Sequence, residues 1–140
     1  MIVIAYHSHF ALTYINFLTP IIILAVDFFN EIQLIWDIVC DQGIDNDIPA
    51  GEGFPAGYEY RWSEGTKKST IQCSGPRYIE YVLGWAEEEI NKESIFPTSS
   101  DIPFPRNFIQ TLKIIYTRFF RIFAIIYSNY FSKLESMVRR

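Results

Sequence analysis

The sequence is poor in cysteine and histidine, and its first sixty residues contain no lysine or arginine at all. Two cysteines and no Asn-x-Ser/Thr sequon argue against a disulfide-stapled secreted module and favour a reducing compartment. His7 and His9 are the only histidines, so a serine or cysteine elsewhere has no imidazole to activate it. A glycine-rich loop opening a helix is missing, which removes the usual basis for nucleotide binding. The net charge of −4 and pI near 5.1 lack the basic excess that nucleic-acid binding wants. No internal repeat or low-complexity segment is visible. What is present is hydrophobic and aromatic: 49% hydrophobic residues, 17% aromatic and only 20% charged. That mix folds, and 140 residues suit one domain burying roughly two-thirds of its extended surface.

Charge is segregated along the chain. Residues 1–60 hold eight acids and no base, whereas 61–140 hold twelve bases against eight acids. The molecule therefore has the means for two electrostatically different binding faces.

Met1–Val26 contains no charged residue other than the two ionisable histidines, and Ile21–Val26 is apolar throughout. Its length would cross a bilayer. His7, Ser8, His9, Thr13, Asn16 and Thr19 break its apolarity, Pro20 interrupts it, and no Lys or Arg flanks it. Those features count against a signal peptide or membrane anchor. A small membrane-anchored protein using residues 2–26 as its anchor is the alternative reading.

Helical spacing of Phe28, Phe29, Ile32, Ile35, Trp36 and Val39 predicts an amphipathic helix over about Ala25–Cys40, with Glu31, Gln33 and Asp37 outside. Asp41–Gly57 has loop composition, with four glycines and two prolines among acids. Alternation in Tyr58–Trp62, a turn at Ser63–Thr66 and the run Thr70–Cys73 predict a short hairpin. Ser74 before Gly75-Pro76 caps a helix reaching about Lys92, with Tyr78, Val82, Trp85, Ala86 and Ile90 on its apolar side. Phe96-Pro97 stops it, and Pro103-Phe104-Pro105 opens the next element. From Arg106 to about Ser136 the apolar residues Phe108, Leu112, Ile115, Phe119, Ile122 and Ile126 step by three and four. They predict one long core-facing helix.

Few residues here carry chemistry. Cys40 and Cys73 end a helix and a strand and read as small buried hydrophobes. Glu87, Glu88 and Glu89 are consecutive, point to different azimuths and read as a solvated face. Arg118 and Arg121 are neighbours on the long helix, with Thr117 and Lys113 a turn back. Two guanidiniums side by side suit a phosphate, since each offers a fixed fork of donors. An ordinary basic face paired with carboxylates gives the same spacing.

Six blocks of sequence resemble the Mob/phocein family, the Mps-one-binder kinase activators. They are Val26-Asp27-Phe28-Phe29-Asn30, Tyr58-Glu59-Tyr60-Arg61-Trp62, Cys73-Ser74-Gly75-Pro76-Arg77-Tyr78 followed by Trp85, Phe96-Pro97-Thr98, Pro103-Phe104-Pro105-Arg106-Asn107-Phe108, and Arg118-Phe119-Phe120-Arg121-Ile122-Phe123. All stand in the family's order between Val26 and about Ser136.

The resemblance implies a mostly α, Mob/phocein-like helical bundle with a short β-hairpin, and a non-catalytic adaptor of Hippo-type signalling. Such an adaptor binds the amino-terminal regulatory region of NDR/LATS-class protein kinases, here through the acidic candidates Asp27, Glu31 and Asp37. It also implies a basic patch that takes a phosphothreonine segment of a Ste20-like kinase, matched by Arg118 and Arg121 and, with less specificity, by Lys67 and Lys68. A third basic position of one subgroup is Thr117 here. Neither a nucleic acid nor a membrane is an expected partner, and the cytoplasm, with the nucleus second, is the expected location.

The family's zinc is not expected. Its two cysteine positions fall at Gly43 and near Ile48, its two histidine positions at Ile125 and Tyr130, and Cys40 is three residues early. A closed zinc site needs four N or S ligands, so no cofactor is predicted and the 41–57 loop is read as having lost its metal clip. Residues 1–25 are read as a tract outside the family, and the family's carboxy-terminal helices are expected to be missing after a partial domain at 26–136. The expectation is a partial copy whose long helix presents aromatics on more than one side, Phe119, Phe120, Phe123, Tyr127, Tyr130 and Phe131, and so exposes a large apolar patch.

Overall fold

The computed structural model describes residues 19–41, 43, 48–63, 68–99 and 101–139. His7, His9, Lys67 and the predicted turn at Glu64–Thr66 lie outside them, as does most of the 2–26 tract. Three helices and one hairpin follow in the order α1 (Thr19–Cys40), β1 (Tyr60–Trp62), β2 (Ile71–Cys73), α2 (Gly75–Ile90) and α3 (Phe108–Val138). The fold is mostly α with a two-stranded antiparallel sheet, as the sequence leads one to expect.

Helix α1 begins at Thr19, well ahead of the Ala25 that periodicity indicates. Pro20 does not interrupt it. It sits in the first turn, where its missing N–H has no intrahelical partner to lose. Ile22, Val26, Phe29, Ile32, Trp36 and Val39 are buried along one stripe. They face α3, whose Leu112, Ile115, Phe119, Ile122, Ile126 and Tyr130 form the matching stripe. The seam is aromatic: the Phe28 ring centroid lies 5.0 Å from Phe123 and 6.0 Å from Phe119, and Trp36 meets Tyr130 edge-on at 6.0 Å. Each such ring contributes about 1.5–3 kcal/mol by leaving water. Among the described residues no helix is long and apolar enough to cross a membrane.

The hairpin is shorter than its alternating pattern indicates, pairing Tyr60 with Cys73, Arg61 with Gln72 and Trp62 with Ile71. Trp62 and Cys73 point into the core, and burial pushes the Cys73 thiol up from its ordinary pKa. On the other face Glu59 accepts from Arg61 and Gln72, which hold its carboxyl below the usual range.

Ser74 caps α2: its side chain accepts the Arg77 amide at 3.2 Å, and Pro76 follows in the first turn. One further contact fixes this end. The Gly75 amide donates to the Ile48 carbonyl at 3.0 Å, and the Ile48 side chain fills the space where a Cβ on Gly75 would lie 2.8 Å from Ile48 Cδ1. Ile48, at φ 60°, is thus the point where the 41–57 loop is pinned to the body. After α2 a tight connection is held by Glu93, which accepts the Thr98 amide at 2.9 Å and the Thr98 hydroxyl. Phe96 is buried there against Phe108, 5.4 Å away, where α3 begins.

Candidate functional site

Arg118 and Arg121 sit one turn apart on α3, on the flank that meets α2 and the hairpin. The Arg118 guanidinium carbon lies 4.1 Å from the Trp85 ring centroid and 4.7 Å from that of Trp62. Trp62 in turn stacks on Tyr81 at 5.7 Å with planes 11° apart, and the Arg77 guanidinium covers the Tyr81 ring at 5.3 Å. A continuous stack of cations and rings thus runs from Arg77 through Tyr81 and Trp62 to Arg118 and Trp85. Cation–π contacts of this kind are worth about 0.5–2 kcal/mol each, more when dry.

Arg121 is more exposed, and one of its N–H groups reaches the Tyr78 hydroxyl at 3.5 Å. Tyr78 is buried, stacked on Tyr60 at 5.4 Å and set edge-on to Trp62. Burial, with Arg121 adding to it, pushes the Arg118 guanidinium below its ordinary pKa, yet a guanidinium stays charged at neutral pH. Among the described residues neither arginine has a carboxylate in salt-bridge range; the ion pairs there join Glu59 to Arg61, Glu80 to Arg77, Glu89 to Lys92 and Glu135 to Arg139. Two like charges one turn apart, Arg118 against rings and with Glu89 near enough to act on it but outside salt-bridge range, form a ready place for an anion with several oxygens.

The sequence places these arginines as neighbours on the helix surface; the structure packs Arg118 against two indoles and leaves Arg121 the more accessible. Thr117 turns its hydroxyl back to the Lys113 carbonyl at 2.7 Å, while Lys113 itself is exposed. Lys68 is exposed in the connection between β1 and β2. Trp62, Trp85 and Tyr78 are the residues that spacing did not identify as part of the site. Their periodicity marks them only as apolar positions.

Along the other flank of α3 an apolar trough of about 820 Å³ is lined by Ile109, Tyr116, Phe120 and Ala124, with Lys113 and Arg121 also on its wall. Phe120 and Tyr127 are about 70% exposed, and Tyr127 packs on Phe131 at 5.0 Å.

The acidic candidates lie on α1. Asp27 and Glu31 are one turn apart on the side opposite its buried stripe, Asp27 half-buried and Glu31 exposed. Asp37 is exposed but turned away from that pair by about 80–120° around the helix. Leu24 and Leu34, both more than 60% exposed, share the stripe of Asp27 and Glu31 at spacings of three and four. That mixed acidic and apolar lane was not singled out from sequence.

The four positions that the resemblance assigns to zinc do not fit it. Gly43 has no side chain, Ile48 packs on Gly75, and Ile125 and Tyr130 are buried in the core.

The comparisons agree with the architecture. The Mob1/phocein family model matches residues 13–140. MOB kinase activator 3A from Homo sapiens is 39% identical over 113 residues, covering 80% of this chain and 52% of that protein. MOB kinase activator-like 1A from Arabidopsis thaliana is 37% identical over the same shares, and MOB kinase activator-like 1 homolog A from Dictyostelium discoideum is 36% identical over 112 residues, 79% of this chain and 52% of that one. The chain spans about half the length of these curated relatives. With the family model matching most of its length and the blocks around Phe28, Trp62, Trp85 and Arg118 forming one packed unit, the chain belongs to the Mob1/phocein family.

Proposed function

We propose that this chain is a non-catalytic adaptor that promotes the activity of a protein kinase, as the names of its relatives suggest. Its docking surfaces are two. The outer lane of α1, with Asp27, Glu31 and the leucines between which they lie, takes the basic amino-terminal regulatory segment of an NDR/LATS-class kinase; Asp37 adds charge on a neighbouring flank. Arg118 and Arg121, with Lys68 and Lys67 contributing long-range attraction, take a phosphothreonine segment of a Ste20-like kinase. The reading needs no zinc, because apolar packing around Ile48, Ile125 and Tyr130 occupies the positions in question.

The observation that carries this reading is the pair of adjacent guanidiniums, supported by rings and lacking a carboxylate partner among the described residues. Fluorescence anisotropy with a labelled phosphothreonine peptide and its unphosphorylated twin tests it. The phosphorylated form binds at least tenfold more tightly if the two forks grip the phosphate. Equal binding of the twins removes the phosphate role.

A further inference from the structure

We propose that Trp62 and Trp85 are positioning residues for the anion site: they hold the Arg118 guanidinium beside Arg121 before any ligand arrives. The inference rests on the phosphate reading above and deepens it. An arginine side chain on a helix surface carries much rotamer entropy, and a free one must surrender it on binding. Arg118 has already surrendered it. Its guanidinium is packed 4.1 Å from one indole centroid and 4.7 Å from another, and the two indoles meet near-perpendicularly with centroids 6.4 Å apart. The clamp is itself fixed from behind. Trp62 is buried, anchored in β1 opposite Ile71, and stacked on Tyr81. Trp85 comes from the middle of α2, so three separate elements converge on one cation.

The faces of a guanidinium and its edges do different work. Aromatic faces engage a cation through its charge and leave the N–H donors at its edge to find other partners. The carboxylate that acts on Arg118, Glu89, is outside salt-bridge range and paired with Lys92, so attraction for an incoming anion is retained. Arg121, tied only by a long contact to the Tyr78 hydroxyl, is the fork that adjusts to the ligand.

The test is a double-mutant cycle on the full chain, read by anisotropy with a single-phosphothreonine peptide that contains no aromatic residue. Trp85→Leu weakens the peptide about fivefold, while Trp85→Phe, which keeps a ring face, stays within about twofold of wild type. In an Arg118→Ala background Trp85→Leu adds nothing, because the indole acts through the arginine. Full additivity of the two losses, or an unchanged affinity of Trp85→Leu when Arg118→Ala binds weakly, overturns the positioning role and leaves the phosphate reading standing. Unchanged affinity in both Arg118→Ala and Arg121→Ala sinks the phosphate reading instead.

Discussion

Arg118 of α3 and Trp85 of α2 meet face to cation at 4.1 Å, and this contact joins the third and the last of the family's matching blocks into one surface. A charge in that position is partly stripped of water without an ion-pair partner, an arrangement that costs stability unless a ligand uses it.

Replacing Arg118 by methionine therefore separates stability from binding. Arg118→Met keeps an unbranched stem beside the indoles and trades the desolvation cost of the charge against two cation–π contacts, so stability changes by no more than about 1 kcal/mol either way. Phosphothreonine-peptide binding falls at least fivefold in the same variant. Urea denaturation and anisotropy on one preparation check both halves.

The contact between Gly75 and Ile48 makes a second prediction. A Cβ at Gly75 would come within 2.8 Å of Ile48 Cδ1, at the start of α2. Gly75→Ala lowers the unfolding free energy by about 1–3 kcal/mol despite the better helix propensity of alanine. An unchanged urea midpoint would show that the loop yields freely.

Because the loop is pinned by that apolar contact, metal removal leaves the fold intact. The melting temperature is the same to within about 1 °C with and without excess EDTA, whereas a structural zinc site would contribute several degrees. Differential scanning fluorimetry reads the difference.

Acid weakens the connection after α2. Thr98 donates twice to Glu93, once from its hydroxyl and once from its amide, which holds that carboxyl below its ordinary value of 4.5. The unfolded chain then binds more protons than the folded one in the acid range, so stability rises with pH there. This contribution is complete above pH 4.5 and is lost as the pH falls through the lower folded-state value. Glu59, lowered mainly by the Gln72 amide and then by Arg61, acts in the same sense. Urea midpoints from pH 7 down to pH 3 show a shallower decline for Glu93→Gln than for wild type.

On the acidic face, Glu31→Lys reduces binding of a lysine- and arginine-rich kinase amino-terminal peptide several-fold at low salt, and the deficit shrinks as salt rises. Leu34→Ser also weakens binding, with a deficit that salt does not erase. Pull-down at two salt concentrations distinguishes the two effects.

Much of this fold is written locally and could be read. The three–four stepping from Phe108 to Ile126 is the buried stripe of α3, and the Ser74-Gly75-Pro76 start of α2 is a cap whose donors and acceptor are neighbours in sequence. The early start of α1 was hidden because the uniformly apolar Ile21–Val26 run carries no helical period. The site was half legible. Arg118 and Arg121 are adjacent by helical spacing, but Trp62, Tyr78 and Trp85 reach them only through tertiary packing of β1 and α2. Nothing in a periodicity of apolar residues distinguishes an indole that fills the core from one that clamps a cation. The pinning of Ile48 onto Gly75 was hidden for the same reason.

The most direct test compares wild type with Arg121→Ala, the accessible member of the pair, for affinity toward a phosphothreonine peptide at fixed salt. The account predicts a loss of at least severalfold, with helical circular dichroism unchanged. Identical dissociation constants for the two proteins would contradict it.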